Sequence, residues 1–171
     1  MVAWRINSRV TAFLVQNLPP TIWASALPAS PRRTVRSIAA HLHNCRCLWM
    51  RSLAVGTTIS IPRRVDHLAV SRRELVTALS GSARAILLML QAGQANGGVF
   101  PGVSSAFIYG AMPRNVGLFT GYALSHEAHH RGQLLLMARE LGHRVPAKVA
   151  AGLWQWSSRL RESGPRSAAG A

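Results

Sequence analysis

The sequence predicts an all-α protein, an antiparallel four-helix bundle with an additional C-terminal helix. Three observations carry this. Apolar residues recur at helical spacing in long segments, and no segment alternates as a strand does. Caps, prolines and a glycine mark where those segments start and stop. The chain has 171 residues, 49% of them apolar, which suits one domain with a core of its own and is too apolar for a disordered chain. The domain is expected over residues 1–162, with a disordered tail over residues 163–171.

The first helix is expected over residues 2–18, with Val10, Phe13, Leu14 and Leu18 at helical spacing and Pro19-Pro20 as its stop. An upstream arginine, an apolar stretch and small residues give this region a faint likeness to a secretion signal. Gln16 and Asn17 interrupt the apolar part, so an amphipathic helix is the expectation. The second helix is expected over residues 31–54, capped by Ser30 with Pro31 in its first position. Residues 55–70, with Gly56 and Pro62, form a loop. Ser71 and Glu74 make a capping box that opens a third helix, which ends near Gly93. A long glycine-rich connection, "GQANGGVFPGVSSAFIYGAMP", leads to a fourth helix over residues 114–141, with Gly142 at the left-handed position that ends many helices. A fifth helix, residues 147–161, carries Trp154 and Trp156.

No apolar run reaches the ~18 to 20 residues of a membrane span, so no membrane partner is expected. The net charge of +15 raises nucleic acid as a partner. However, Lys148 is the only lysine among 20 Lys and Arg residues, a skew that coding bias explains. The arginines also fall in scattered pairs (Arg32-Arg33, Arg63-Arg64, Arg72-Arg73) without interleaved aromatics. Both features argue against a nucleic-acid interface, and a basic nucleic-acid-binding protein is kept only as an alternative. Cys45 and Cys47, two apart on a helix, point to nearly opposite sides and cannot pair. Free thiols suit a reducing cytoplasm, which is the expected setting.

The fourth helix contains "SHEAHHRGQ", residues 125–133. His126-Glu127-Ala128-His129-His130 fits the H-E-x-x-H pattern of zinc proteases. The extended protease pattern then needs a glycine three residues after the second histidine and a third histidine three further on. Here the glycine comes at 132, one place early, and those positions hold Gln133 and Leu136. The protease reading is set aside.

A metal reading survives. His126 and His130 are four apart and share a helix face. His129 could chelate with His126, but counting on from 130 gives the apolar Leu134, Met137 and Leu141, whereas counting on from 129 gives Gln133, Leu136 and Glu140. His130 is therefore expected inside with His126, and His129 outside. In "SIAAHLHNCRCLWM" the inward stripe of the second helix reads Ile38, His41, Cys45, Leu48 and Trp49, with His43 about 200° round and off it. The expectation is a facial metal site of His41, His126 and His130, with open positions for water or substrate. Imidazoles suit Zn, Ni, Fe or Cu. A hydrogen-bonded core histidine is the plainer reading of any one of them. Glu127 can serve as a partner behind the ligands or as a surface carboxylate paired with Arg131.

Several stretches resemble one family. "AWRINSRV" resembles its opening helix and "SIAAHLHNCRCLWM" its first-histidine helix. "HEAHHRGQLLLMARELGHRVP" carries two histidines four apart followed by Arg-Gly-Gln, and "KVAAGLWQW" resembles its closing segment. The chain is thereby identified as similar to the DinB (DinB/YfiT-like) family of bacterial metalloproteins over roughly residues 3–159. The resemblance implies a four-helix bundle, a homodimer, and a divalent metal, zinc or nickel, held by His41, His126 and His130, with His43 a rival for the first. It also implies a metal-dependent thiol S-transferase or thiol-dependent isomerase that uses a low-molecular-weight thiol on a small-molecule substrate. A non-catalytic metal-binding stress protein is the alternative. Arg46 or Arg131 would bind a carboxylate of the thiol, although surface charge is the plainer reading of both. The stretch "FPGVSSAFIYGAMPRN" does not closely resemble the family, and substrate choice depends on such loops.

Overall fold

The structure, a computed structural model, describes residues 1–102 and 112–164. The middle of the glycine-rich connection and the tail from residue 165 lie outside the described residues. Among the described residues there are six α helices and no strand: α1 Val2–Asn17, α2 Val35–Leu53, α3 Arg72–Ala95, α4 Val116–Glu140, α5 Ala147–Gly152 and α6 Trp156–Glu162. A short 3-10 turn, Pro20–Ile22, follows the double proline.

Most boundaries follow the local chemistry. The Ser71–Glu74 capping box is formed, with Glu74 accepting from the Ser71 backbone and Ser71 from Glu74. Asn115 caps α4 by accepting from Gly117 and Leu118. Gly142 follows α4 at φ +79°, where a side chain would be strained. Two expectations are corrected. The second helix starts at Val35 under a Thr34 cap, not at Pro31 under Ser30. Residues 25 and 26 bond back onto the segment before α2, which holds residues 30–34 out of the helix. The fifth helix is two short helices, broken at Leu153–Gln155.

The core consists of two apolar clusters separated by a polar layer. One holds Leu14, Leu18, Val35, Ile38, Leu42, Leu75, Leu79, Leu134 and Met137. The other holds Trp4, Trp49, Met50, Leu53, Ile86, Met89, Phe119 and Ala123. The order in which each helix meets them gives its direction. α1 and α4 run from the second cluster to the first, and α2 and α3 run from the first to the second. Successive helices α2 and α3 can share a direction because the connection between them travels back along α2. Ile59 and Ile61 pack on the second cluster. The Arg63 carbonyl then meets His43, and Val65 exchanges two hydrogen bonds with Asn44 at 2.9 and 3.0 Å. α3 packs on α1 and α2, α4 packs on α2 and α1, and α6 lies against α1.

By length and mean hydropathy (1.4), α3 reaches the range of a membrane span, against the expectation that no segment would. Its apolarity has a use inside the bundle: Leu75, Leu79, Ile86, Met89 and Leu90 are buried in the two clusters.

The layer between the clusters is charged. Arg46 on α2 and Glu127 on α4 are both fully buried and meet twice, Nε to Oε1 at 2.6 Å and a terminal nitrogen to Oε2 at 2.9 Å. Asn7 and Thr11 on α1 donate to the same carboxylate at 2.9 and 2.7 Å. Arg46 also donates to the Leu79 carbonyl at 2.9 Å, and its guanidinium lies 5.0 Å from the Trp4 ring centre. Arg131 donates to Asn7 and Thr11, both at 2.8 Å. Every buried charge in the layer is thereby matched, as burial requires. Removing one partner leaves the other uncompensated. Arg46→Ala is expected to lose about 3–5 kcal/mol of stability in urea unfolding. Combined with Glu127→Ala it should cost clearly less than the two single changes added together. Strict additivity would show that the pair is not coupled.

Candidate metal centre

α2 and α4 cross beside this layer, and three histidines meet there. His41 lies just before the layer on α2, while His126 and His130 flank Glu127 on α4. The ring centres of His41 and His126 are 5.4 Å apart, and each lies 4.5 Å from that of His130. Each ring offers one nitrogen such that all three lie within 4.8 Å of one another. The group could therefore hold a metal ion. The two Nε2 atoms of His126 and His130 are 3.2 Å apart. Metal–nitrogen bonds of ~2.0–2.1 Å place two ligand nitrogens about 2.9 Å apart at a right angle and about 3.4 Å at the tetrahedral angle, so this pair is already at ligand spacing.

The donor set suits a cation on two further grounds. His130 Nδ1 lies 2.8 Å from Gln133 Oε1. A carboxamide oxygen only accepts, so this bond puts the proton on Nδ1 and leaves Nε2 with its lone pair. Nδ1 of His126 is buried with no hydrogen-bond partner among the described residues, and its Nε2 meets only the Nε2 of His130. The rings are also kept neutral, as ligands must be. Burial, then the neighbouring His130 and Arg33, lowers the pKa of His41 to about 4. Burial and the other two rings lower that of His126 to about 4 as well. Burial also lowers His130, against the opposing bond from Gln133.

The surroundings are aromatic on one side. The rings of Trp49 and Tyr122 lie 5.1 and 6.2 Å from that of His126. Cys45 Sγ is 3.2 Å from His41 Nε2, and burial pushes its pKa up to about 12. Cys45 and Cys47 are both buried and unpaired. His129 is exposed and accepts from Gln133 at 2.9 Å, as its polar side of the helix implied.

Four residues stand elsewhere than the sequence suggested. His43 does not lie off the core. It is fully buried, bonded to Ser82 at 3.1 Å and to the Arg63 carbonyl at 2.9 Å, and it is not part of the triad. Glu127 is not a surface carboxylate, nor is it hydrogen-bonded to the triad. Burial alone would raise its pKa, but Arg46, with help from Thr11 and Arg131, holds it below the usual carboxylate value. Arg46 is buried and Arg131 nearly so, both engaged with the layer, so neither is a surface charge. The cation facing the triad is Arg33, which lowers the pKa of His41 and His130 and reaches Gln133 Oε1 at 3.5 Å. Sequence reasoning missed it because it precedes α2 in an irregular segment.

A family model of the DinB family matches residues 2–159. The chain belongs to the DinB family. No curated protein and no solved structure matches it. The match covers all six helices apart from the last residues of α6, and His41, His126 and His130 lie within it.

The neutral rings have a measurable consequence. His41 and His126 stay unprotonated down to about pH 4 when folded, whereas the unfolded chain takes up these protons near 6.5. The unfolded state thus binds more protons between pH 6.5 and 4, and stability falls as pH drops through that window. In metal-free protein the midpoint of thermal unfolding should fall from pH 7 to pH 4.5, and His41→Phe with His126→Phe should flatten the slope. An unchanged slope would contradict the buried, neutral placement.

Proposed function

We propose that this DinB protein is a divalent-metal enzyme, with zinc or nickel held by His41, His126 and His130, that transfers or adds a low-molecular-weight thiol to a small electrophile. The observation that carries this reading is the convergence of three neutral imidazoles, two of them at ligand spacing. A bound ion would supply Lewis acidity, lowering the pKa of a thiol presented to it. The chain's own groups do the rest. Gln133 fixes the proton of His130. Tyr122, exposed beside His126, gives the reacting molecule an aromatic side, with the buried Trp49 ring packed against it. Arg33, exposed at the rim, can meet a carboxylate of the thiol, the role first assigned to Arg46 or Arg131.

A second reading is a metal-binding protein without turnover. It is favoured by Glu127, whose two oxygens accept from Arg46, Asn7 and Thr11 in the core, so that no free carboxylate stands ready as a general base. Untagged protein is the material for the test. Elemental analysis should give about one zinc or nickel per chain, lost in the His41→Ala/His126→Ala/His130→Ala variant. Turnover with a panel of thiols and electrophiles that vanishes in His126→Ala supports the enzyme. Stoichiometric metal with no turnover on any pair would leave the second reading standing.

The cytoplasmic setting and a homodimer belong to the same proposal. Two buried free cysteines support the first. For the second, a groove of about 470 Å³ between α1 and α4 is floored by Ser125, Ala128 and Gly132 and bordered by Trp154 and Trp156, which are 80% and 52% exposed. Trp154→Arg should convert a dimer to a monomer in sedimentation with the metal content unchanged. A wild-type monomer would refute this part alone.

A further inference from the structure

On a different side of the bundle, a hollow of about 480 Å³ is lined by α1, α3 and the end of α6, with no residue of α2 or α4 and none of the three histidines. Arg5 and Arg9 from α1 and Arg84 from α3 border it. Arg9 is paired with Glu162 at 2.5 Å, and Glu162 is shared with Arg159 at 2.7 Å, so the one carboxylate in the lining is already matched. The side chains of Arg5 and Arg84 make no hydrogen bond or ion pair among the described residues. Ser8, also in the lining, is 7% exposed, and its hydroxyl has no partner among the described residues. A buried hydroxyl without a partner carries a cost that a ligand would relieve. Trp4 and Leu87 supply an apolar wall.

These groups share one chemistry. Two unpaired guanidiniums donate in a planar fork, a serine shares the lining with them, and the lining's carboxylate is taken. The complement is an oxyanion with more acceptor oxygens than one carboxylate offers. The volume exceeds that of a bare phosphate and falls in the range of small-ligand sites. We propose that this hollow binds a small phosphate ester, its phosphate between Arg5, Arg84 and Ser8 and its organic part against Trp4 and Leu87. The site is independent of the metal centre, and metal content does not report on it.

Titration calorimetry of the full chain with phenyl phosphate tests this, with benzoate as the carboxylate arm and sodium chloride holding ionic strength equal. Saturable one-to-one binding of phenyl phosphate is expected. Arg5→Gln with Arg84→Gln should weaken it at least about tenfold. Ser8→Ala should weaken it several-fold while leaving the unfolding midpoint unchanged or slightly raised, because its hydroxyl bonds nothing among the described residues. Arg139→Gln with Arg144→Gln, the same charge change at exposed positions elsewhere, should leave binding intact. Equal losses in both arginine pairs, or heat that sodium chloride reproduces, would show only the general attraction of a strongly basic chain and overturn the site. Benzoate binding as tightly as phenyl phosphate would overturn the phosphate assignment.

Discussion

The buried Arg46–Glu127 pair sets the terms for the rest of the molecule. Two charges taken wholly out of water are tolerated only when their geometry is good and their remaining donors and acceptors are met. Here that condition recruits Asn7 and Thr11 from α1 and the Leu79 carbonyl from α3, so all four long helices are fixed at one level. A slip of one turn between α2 and α4 would press an arginine or a glutamate into one of the apolar clusters. The register that avoids this also brings His41 opposite His126 and His130. Structure and candidate chemistry thus share one cause: the pair that aligns the helices aligns the ligands.

The same pair explains why a protease-like string does not make a protease site. In the H-E-x-x-H pattern the glutamate works as a base beside the metal. Here residue 127 sits about 100° round the helix from 126, and that turn points it into the core. Its charge balances Arg46 instead of polarising water. What remains at the triad is a set of neutral nitrogen donors, an aromatic flank and an exposed guanidinium. That set could hold a metal ion, and it supplies little acid–base chemistry of its own.

Much of this was legible in the residues. The apolar period gave the four long helices, the Ser71 box and Gly142 placed two ends, and the stripe continuing from position 130 separated His130 from His129. On α2 the same stripe logic picked out His41 but misjudged the opposite side. It assumes one wet face, and the middle of α2 has none, because the 55–70 connection covers the side that bundle neighbours leave open. His43, Asn44 and Arg46 are therefore buried as deeply as the residues opposite them, and nothing in the local pattern marks that. The burial of Glu127 was hidden for a related reason. Its nearest sequence partner is Arg131, an ordinary surface pairing, while its true partner is 81 positions away.

The claim that matters most is that one ion takes its ligands from these three rings. X-ray absorption on zinc-loaded protein addresses it directly. Three imidazole nitrogens at ~2.0–2.1 Å are expected, falling to two in His41→Ala. A sulfur at ~2.3 Å would put Cys45 in the shell, and an imidazole count unchanged by His41→Ala would mean that the helices do not bring these residues to a common ion.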